Sequence, residues 1–376
     1  MPGPRPLPAT PPTSRRTPAA ASAPPPDAAA PRSAGPAPRA TLGALRAAAL
    51  AAVAALAGLP GAARAAATYP QSTFYPHSEV GGLIQSLLNN LLFWVFLIFV
   101  VVETLLVVAM VRFRRRREST GPPEGAHGHT GLEVAWSLAP VAILACIAVP
   151  TVGTIFRIGG PAPPGALQVN VVGHQWWWEF QYPQLGVVTA NELHLPVGRA
   201  ASFRLQTADV IHSFWLPGLS GKRDVVPART NQLWFTPDRA GTYRGQCAEF
   251  CGESHANMRM LAVVETPQEF DAWVRDQRQP GPPPAALAAR GAQVFSQSAC
   301  IGCHTIQGVS AGVLGPNLTH VGSRSTLAAG VLPNTPESLG RWLQDPPATK
   351  PGTLMPNLNL GRDQIQALVA YLESRK

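Results

Sequence analysis

The stretch GQCAEFCGESHANM (245–258) places Cys247, Cys251, His255 and Met258 within twelve positions, with Glu249 between the cysteines. Zinc knuckles commonly space their cysteines by two residues and return with a second such pair. Here the cysteines are four apart and no second pair follows in the same segment. Thiolate, imidazole and thioether together form a soft donor set that suits copper and favours electron transfer over hydrolysis. A mononuclear blue-copper site needs one cysteine, so two cysteines able to bridge predict two copper ions sharing one electron. Such a centre requires a second histidine from elsewhere, and His174, His194 and His212 are the candidates. His212 is favoured: it lies in DVIHSFWLPGLSGKRD (209–224), a loop-like segment after a strand, 35 residues upstream of Cys247. His194 alternates within a strand pattern, and His174 adjoins three tryptophans and reads as a packed ring.

Around this motif the chain carries short apolar runs separated by Gly and Pro. They include LQVNVVG (167–173), VVTANELHL (187–195), ASFRLQT (201–207), NQLWFTP (231–237) and RMLAVVE (259–265). This rhythm predicts an antiparallel β-sandwich or barrel, here over residues 160–278, closed by the helix PQEFDAWVRDQ (267–277). QPGPPP (279–284) reads as a semi-rigid linker. Residues 285–376 change character, with amphipathic helical patterns at AALAARGAQVFSQ (285–297) and GRDQIQALVAYLESRK (361–376).

The second cysteine pair opens CIGCH (300–304), the spacing of a c-type haem attachment. Cys300 and Cys303 would form the thioether bonds and His304 would ligate the iron. The flanking helices are those of a small all-α cytochrome c domain. The one methionine after the motif, Met355 in GTLMPNL (352–358), is the expected distal ligand, a choice that raises haem potential. His320, in GPNLTHVGSR (315–324), is its rival. A zinc site or a disulfide would leave the helical frame unexplained.

N-terminal to the β-domain the composition is that of an exported membrane protein. Residues 1–40 are Pro-, Ala- and Arg-rich without apolar period and read as disordered. LGALRAAALAAVAALAGLPGAARAAA (42–67) has the arginine flanks, short apolar core and small residues of a signal peptide. Two runs, 91–111 and 132–156, approach or exceed the about 20 residues needed to span a bilayer, so residues 75–157 read as a transmembrane hairpin. RFRRRR (112–117) between them predicts a cytoplasmic connection, which leaves everything after Arg157 extracytoplasmic. The net charge of +9 is concentrated in this region, since residues 161–376 hold 17 basic and 15 acidic side chains. No basic face is interleaved with aromatic residues, which argues against nucleic acid as a partner. Glu103 within the first span is expected to be protonated or turned toward a partner. Cys146 in the second is expected to be inert packing.

DVIHSFWLPGLSGKRD followed by GQCAEFCGESHANM closely resembles subunit II of haem-copper cytochrome c oxidases, as do GHQWWWEFQYP (173–183) and the two-helix anchor. The resemblance covers roughly residues 75–278. It implies a cupredoxin-like head with a dinuclear copper A centre held by His212, Cys247, Cys251, His255, Met258 and the backbone carbonyl of Glu249. It also implies that the Glu249 side chain and Asp224 lie near a magnesium site shared with subunit I. Trp176 would be where electrons arrive from the donor, and Glu133 would sit at the mouth of a proton pathway into subunit I. The family usually has tyrosine where this chain has Trp177, which bears on the docking surface but not on the ligands. Quinol oxidases share the fold but lack the copper ligands.

With the C-terminal domain, the order of parts resembles the caa3 type, in which a cytochrome c is fused behind the copper domain and replaces a diffusing donor at high effective concentration. The implied role is electron relay from a cytochrome c or other c-type donor through haem c and copper A to the haem–copper centre of subunit I. Oxygen would be reduced there, with proton translocation. Subunit III, membrane lipid and a bacterial inner-membrane location with both cofactor domains periplasmic follow from the same resemblance. Other classes stay open at this point: a copper carrier, a membrane-anchored electron shuttle, or the relay subunit of a nitrogen-oxide reductase. A six-ligand buried site is poorly suited to copper delivery, and a shuttle would have no use for Glu133 or the GKRD segment.

Overall fold

A computed structural model describes residues 71–114, 128–284 and 286–376. The expected signal peptide and N-terminal tail (1–67), Arg115–Arg117 and Ala285 lie outside the described residues.

Helix α1 (Glu79–Arg112) starts twelve residues before the apolar run, because Ser78 caps its first turn by accepting a hydrogen bond from the Gly81 N–H. The Glu79 carboxylate in that turn accepts bonds from Thr236 N and Oγ1 at 2.8 and 2.7 Å. The base of the helix is thereby tied to the β-domain. Helix α2 (Thr130–Gly159) contains Pro140 and Pro150, and Trp234 Nε1 donates to the Gly160 carbonyl just beyond it. Both helices are long and apolar enough to cross a membrane, and their apolar windows are unburied within the chain. Asn90 Nδ2 bonds the Cys146 carbonyl between them. The Cys146 thiol is exposed within the chain.

The β-domain is a sandwich of two five-stranded sheets, ordered β3-β2-β1-β5-β8 and β4-β10-β9-β6-β7. The strands are β1 (Leu167–His174), β2 (Trp177–Tyr182), β3 (Val187–Ala190), β4 (Glu192–Pro196) and β5 (Ala201–Thr207), then β6 (His212–Trp215), β7 (Arg223–Val225), β8 (Asn231–Phe235), β9 (Gly241–Cys247) and β10 (Arg259–Glu265). Alternation sends Leu167, Val169 and Val171 inward from β1 and Trp178, Phe180 and Tyr182 from β2. They meet Phe203, Phe214 and Phe235 in one core. Stacked sheets about 10 Å apart exclude water between such faces, and each fully buried aromatic or aliphatic side chain stabilises the sandwich by about 1.5–3 kcal/mol.

Two details differ from the sequence expectation. The sheets are mixed rather than wholly antiparallel, since β1–β5 and β4–β10 run parallel. The run 187–195 is two strands in different sheets. Asn191 between them takes a left-handed backbone, φ 62°, and its Oδ1 accepts the Trp178 N–H at 2.9 Å. A short amide side chain tolerates that conformation better than a branched one, so the chain switches sheets there.

Helix α3 (Pro267–Arg278) closes the sandwich with a Thr266–Glu269 capping box. Beyond the linker, helices α4 (Leu287–Gln297), α5 (Pro336–Gln344) and α6 (Arg362–Glu373) enclose a second core around Phe295, Leu339, Leu368 and Tyr371. Helices α4 and α6 cross at Gly291, where an added Cβ would lie 2.6 Å from the Ala367 carbonyl carbon and 2.7 Å from Tyr371 Cβ. Glycine is required by that approach.

Candidate metal centre and haem site

Strand β9 ends at Cys247, and the chain returns through the turn His255–Asn257 into β10. Cys247 N–H donates to the Met258 carbonyl at 2.9 Å, closing the loop at its base. The donor side chains of 247–258 therefore emerge at one end of the sandwich. Histidine 212 begins β6, which pairs with β9 through Phe214↔Cys247, and Ala248 N–H bonds the Ser213 carbonyl. Strand pairing brings the distant histidine to the loop.

The donor atoms form a continuous chain. His212 Nδ1 lies 3.9 Å from Cys247 Sγ, the two sulfurs are 3.8 Å apart, and Cys251 Sγ is 3.5 Å from His255 Nδ1. Met258 Sδ stands 3.9 Å from Cys251 Sγ, and the Glu249 carbonyl oxygen is 3.2 Å from Cys247 Sγ. Both cysteines are free and buried, and at this separation they are not a disulfide. His212 and Met258 are fully buried, whereas His255 is half-buried beneath the exposed Phe250.

Electrostatics prepare one of the two sulfurs, Cys247, for a cation. A hydrogen bond from Cys251 pushes the Cys247 thiol well below its ordinary range, against the upward pull of burial, and His212 adds to the effect. Cys251 is pushed up correspondingly, first by sharing that bond and then by burial. Burial disfavours the charged His212 ring, but Asp209 and Cys247 outweigh it and leave its pKa raised. Asp209 Oδ1 sits 2.7 Å from His212 Nε2, so Nδ1 is the nitrogen turned to the sulfurs. A carboxylate on the outer ring nitrogen fixes tautomer and orientation in metal-binding histidines. Two thiols, two imidazoles, a thioether and a carbonyl within these distances fit a soft metal centre of two ions.

The other histidines are engaged elsewhere. His194 stacks on Trp273 at 4.2 Å and pairs with Glu265 at 3.0 Å. His174 stacks on Trp177 at 4.1 Å, with Glu179 3.3 Å from its Nε2. Trp176 is 8% exposed, and its indole N–H donates to the Cys251 carbonyl at 2.9 Å. Asp224 and the Glu249 side chain are exposed, and Glu133, in the first turn of α2, is exposed at the end of that helix away from the β-domain.

In the C-terminal domain, Cys300–Cys303 forms a helical turn ending at His304. His304 Nδ1 is 2.8 Å from the Pro316 carbonyl, a contact that makes Nδ1 the donor and leaves Nε2 free. Burial lowers the pKa of His304 and favours its neutral, ligating form. Met355 packs against the domain core. His320 is buried with both ring nitrogens unpartnered among the described residues. Arg324 is half-buried with its Nε enclosed and unpartnered, and desolvation pushes its pKa down to about 10. Arg324 offers an unmet Nε donor and its charge reaches His304; together with the free thiols of Cys300 and Cys303, this chemistry fits an anionic macrocycle such as haem.

Three further residues carry no motif: Asp209, Glu192 and Lys350. Asp209 could have been sought three residues before His212. Nothing local marks Glu192 or Lys350, because the contacts that join them to the other domain reach more than a hundred residues along the chain.

Comparison with known proteins matches residues 77–153 to the transmembrane domain of cytochrome c oxidase subunit II, residues 185–266 to the periplasmic domain of that subunit, and residues 288–376 to cytochrome c. The chain is 37% identical to cytochrome c oxidase subunit 2 of Alkalihalophilus pseudofirmus, over 74% of this chain and 83% of the relative. It is 36% identical to the same subunit of Bacillus sp. strain PS3, over 70% and 80%. Among solved structures, the periplasmic domain of subunit II of the Bradyrhizobium japonicum cytochrome oxidase is 32% identical, over 31% of this chain and 96% of that one, with a TM-score of 0.30.

Proposed function

Since the chain belongs to the cytochrome c oxidase subunit II family and ends in a cytochrome c domain, we propose that it is the electron-accepting relay of a caa3-type oxidase. The observation that carries this reading is the unbroken series His212, Cys247, Cys251 and His255, with adjacent donor atoms 3.5–3.9 Å apart. When bound, dinuclear copper A and covalent haem c supply one-electron redox chemistry, passing electrons from a c-type donor toward the haem–copper centre of subunit I, where oxygen is reduced to water with proton translocation.

The chain's own residues build the surroundings of that chemistry. Cys247, Cys251, the Nδ1 atoms of His212 and His255, Met258 and the Glu249 carbonyl would hold the copper ions. Asp209 orients His212. The core aromatics Trp178 and Phe214 pack edge-on to each other at 5.6 Å, and Trp178 lies 5.9 Å from the His212 ring, so water is kept from that side. Cys300 and Cys303 would anchor the haem covalently, and His304 and Met355 would hold its iron. Exposed Asp224 and Glu249 suit a magnesium site shared with subunit I. Glu133 stands at the mouth of a proton pathway, and Trp176 couples the copper loop to the donor side. The two helices hold the chain in the bacterial inner membrane beside subunits I and III and lipid, with both cofactor domains periplasmic.

The test is metal and haem analysis of the purified full-length chain, with optical and electron spin resonance spectra. Two coppers sharing one unpaired electron, plus one covalent low-spin haem with methionine ligation, are expected. A single blue-type copper, zinc, or the absence of covalent haem would overturn the reading.

A further inference from the structure

The cytochrome domain meets the β-domain through a set of buried polar contacts that no redox motif requires. Glu192, at the start of β4, is 4% exposed. Its Oε1 accepts the Ser325 N–H and hydroxyl, each at 2.8 Å, and the Thr326 N–H and hydroxyl at 3.0 and 3.3 Å. The Arg324 guanidinium lies in its field. A carboxylate removed from water persists only when it is met by donors and a counter-charge, and the cytochrome domain supplies all four donors to Oε1 and the nearby guanidinium.

From the other side, Lys350 of the cytochrome domain is 3% exposed. Its Nζ donates to the Trp176 carbonyl of the β-domain at 2.6 Å and to the Ala328 carbonyl at 3.0 Å. Next to it, Ser254 Oγ donates to the Pro351 carbonyl at 2.5 Å, and Arg259 N–H donates to the Ala329 carbonyl. A Cβ on Gly352 would fall 3.0 Å from Trp176 Cη2, so the loop after Lys350 lies directly on that indole. The tether is pinned as well, with the Arg375 guanidinium on the Pro282 carbonyl. Each domain thus buries one ionisable side chain in the other, and Trp176 is under the joint.

We propose that Glu192 and Lys350 are positioning residues that clamp the cytochrome domain over Trp176, closing this face to soluble electron donors and making the fused domain its fixed partner rather than a swinging one. The inference rests on the relay reading above for its purpose, but the clamp is measurable without redox chemistry. A soluble donor would then have to dock on the cytochrome domain.

The experiment is hydroxyl-radical footprinting of the holo full-length chain, read by mass spectrometry at Trp176, Trp177 and Trp178, together with amide exchange across 325–330. In the unmodified protein Trp176 should label like fully buried Trp178 and below half-exposed Trp177. Glu192→Ala combined with Lys350→Met should raise Trp176 labelling at least fivefold and speed exchange of the Ser325 and Thr326 amides at least tenfold, with haem and copper spectra unchanged. Glu192→Gln, which keeps the acceptor oxygen, should restore most of the protection. Trp176 labelling as freely as Trp177 in the unmodified protein would overturn the clamp, and so would a double variant indistinguishable from it. Because neither readout uses electron flow, loss of the copper signal with Trp176 still protected would count against the relay and for the clamp.

Discussion

Gly173→Ala puts a single methyl group against the metal centre. Gly173 precedes His174 at the end of β1, and a Cβ there would lie 2.8 Å from His212 Cδ2, 3.2 Å from Cγ and 3.4 Å from Trp178 Cζ3. The imidazole is fully buried and held by Asp209 at 2.7 Å, so it has no free side to rotate into. Restoring ordinary contact, from 2.8 to 3.4 Å, displaces the ring by about 0.6 Å, against a tolerance of about 0.2 Å in metal–ligand distance. Changes that disturb the support of a ligating histidine cost about 10–100-fold in metal affinity, or about 1.4–2.7 kcal/mol. The fold should survive. Overpacking costs about 1–3 kcal/mol, and replacing a strand glycine by alanine returns about 0.5–1 kcal/mol. The assay is copper retained per chain under a graded chelator challenge, with the electron spin resonance spectrum and a thermal melt on the same sample. Copper retention and a spectrum equal to those of the unmodified protein would refute the reasoning, since they would mean that His212 is free to yield.

Three other outcomes follow from the same contacts. Gly291→Ala should destabilise the cytochrome domain in denaturant melts, because the clash is with the backbone of α6 and costs about 1–3 kcal/mol or more, against about 1 kcal/mol of helix propensity gained. Asn191→Ala should cost about 2–3 kcal/mol in the same assay, from the left-handed backbone and the lost bond to Trp178 N–H, with Asn191→Gly intermediate. Glu179 is pulled upward by burial, but His174 and Gln181 outweigh this and hold its carboxyl below the ordinary value of 4.5. A depressed carboxyl stabilises above its unfolded pKa, and that contribution is lost as pH falls through the folded one. His174→Phe, which keeps the stack on Trp177, should therefore lower stability by about 1 kcal/mol or less near pH 6, and the difference should shrink as pH falls below the ordinary carboxyl value. A deficit that grows in acid would contradict this sign.

Local spacing was enough for the parts of the site whose partners are close in sequence. Cys247, Cys251, His255 and Met258 sit on one loop, and CIGCH sits on one helical turn, so their grouping survives almost any arrangement of the remainder. The two spans and most of the strands were legible for a related reason, since apolar runs of fixed period have few ways to leave water. Sheet membership was less so. The run 187–195 read as one strand because its alternation continues through Asn191, and only the packing of two sheets divides it.

What remained for the tertiary structure was every pairing across long sequence separations. Which of three histidines faces Cys247 depends on β6 lying beside β9, whereas His174 and His194 satisfy the same pattern and stack on tryptophans instead. The parallel β1–β5 and β4–β10 ladders are invisible in strands that alternate identically either way. Trp176 is the clearest case. The family resemblance implies that electrons arrive there, yet it is covered by Lys350 and Gly352, more than 170 residues later in the chain. Residue types and short spacings determined which ligands this chain carries, because coordination chemistry is local. The fold alone decided what stands in front of them, because burial belongs to surfaces that meet only after the chain has closed on itself.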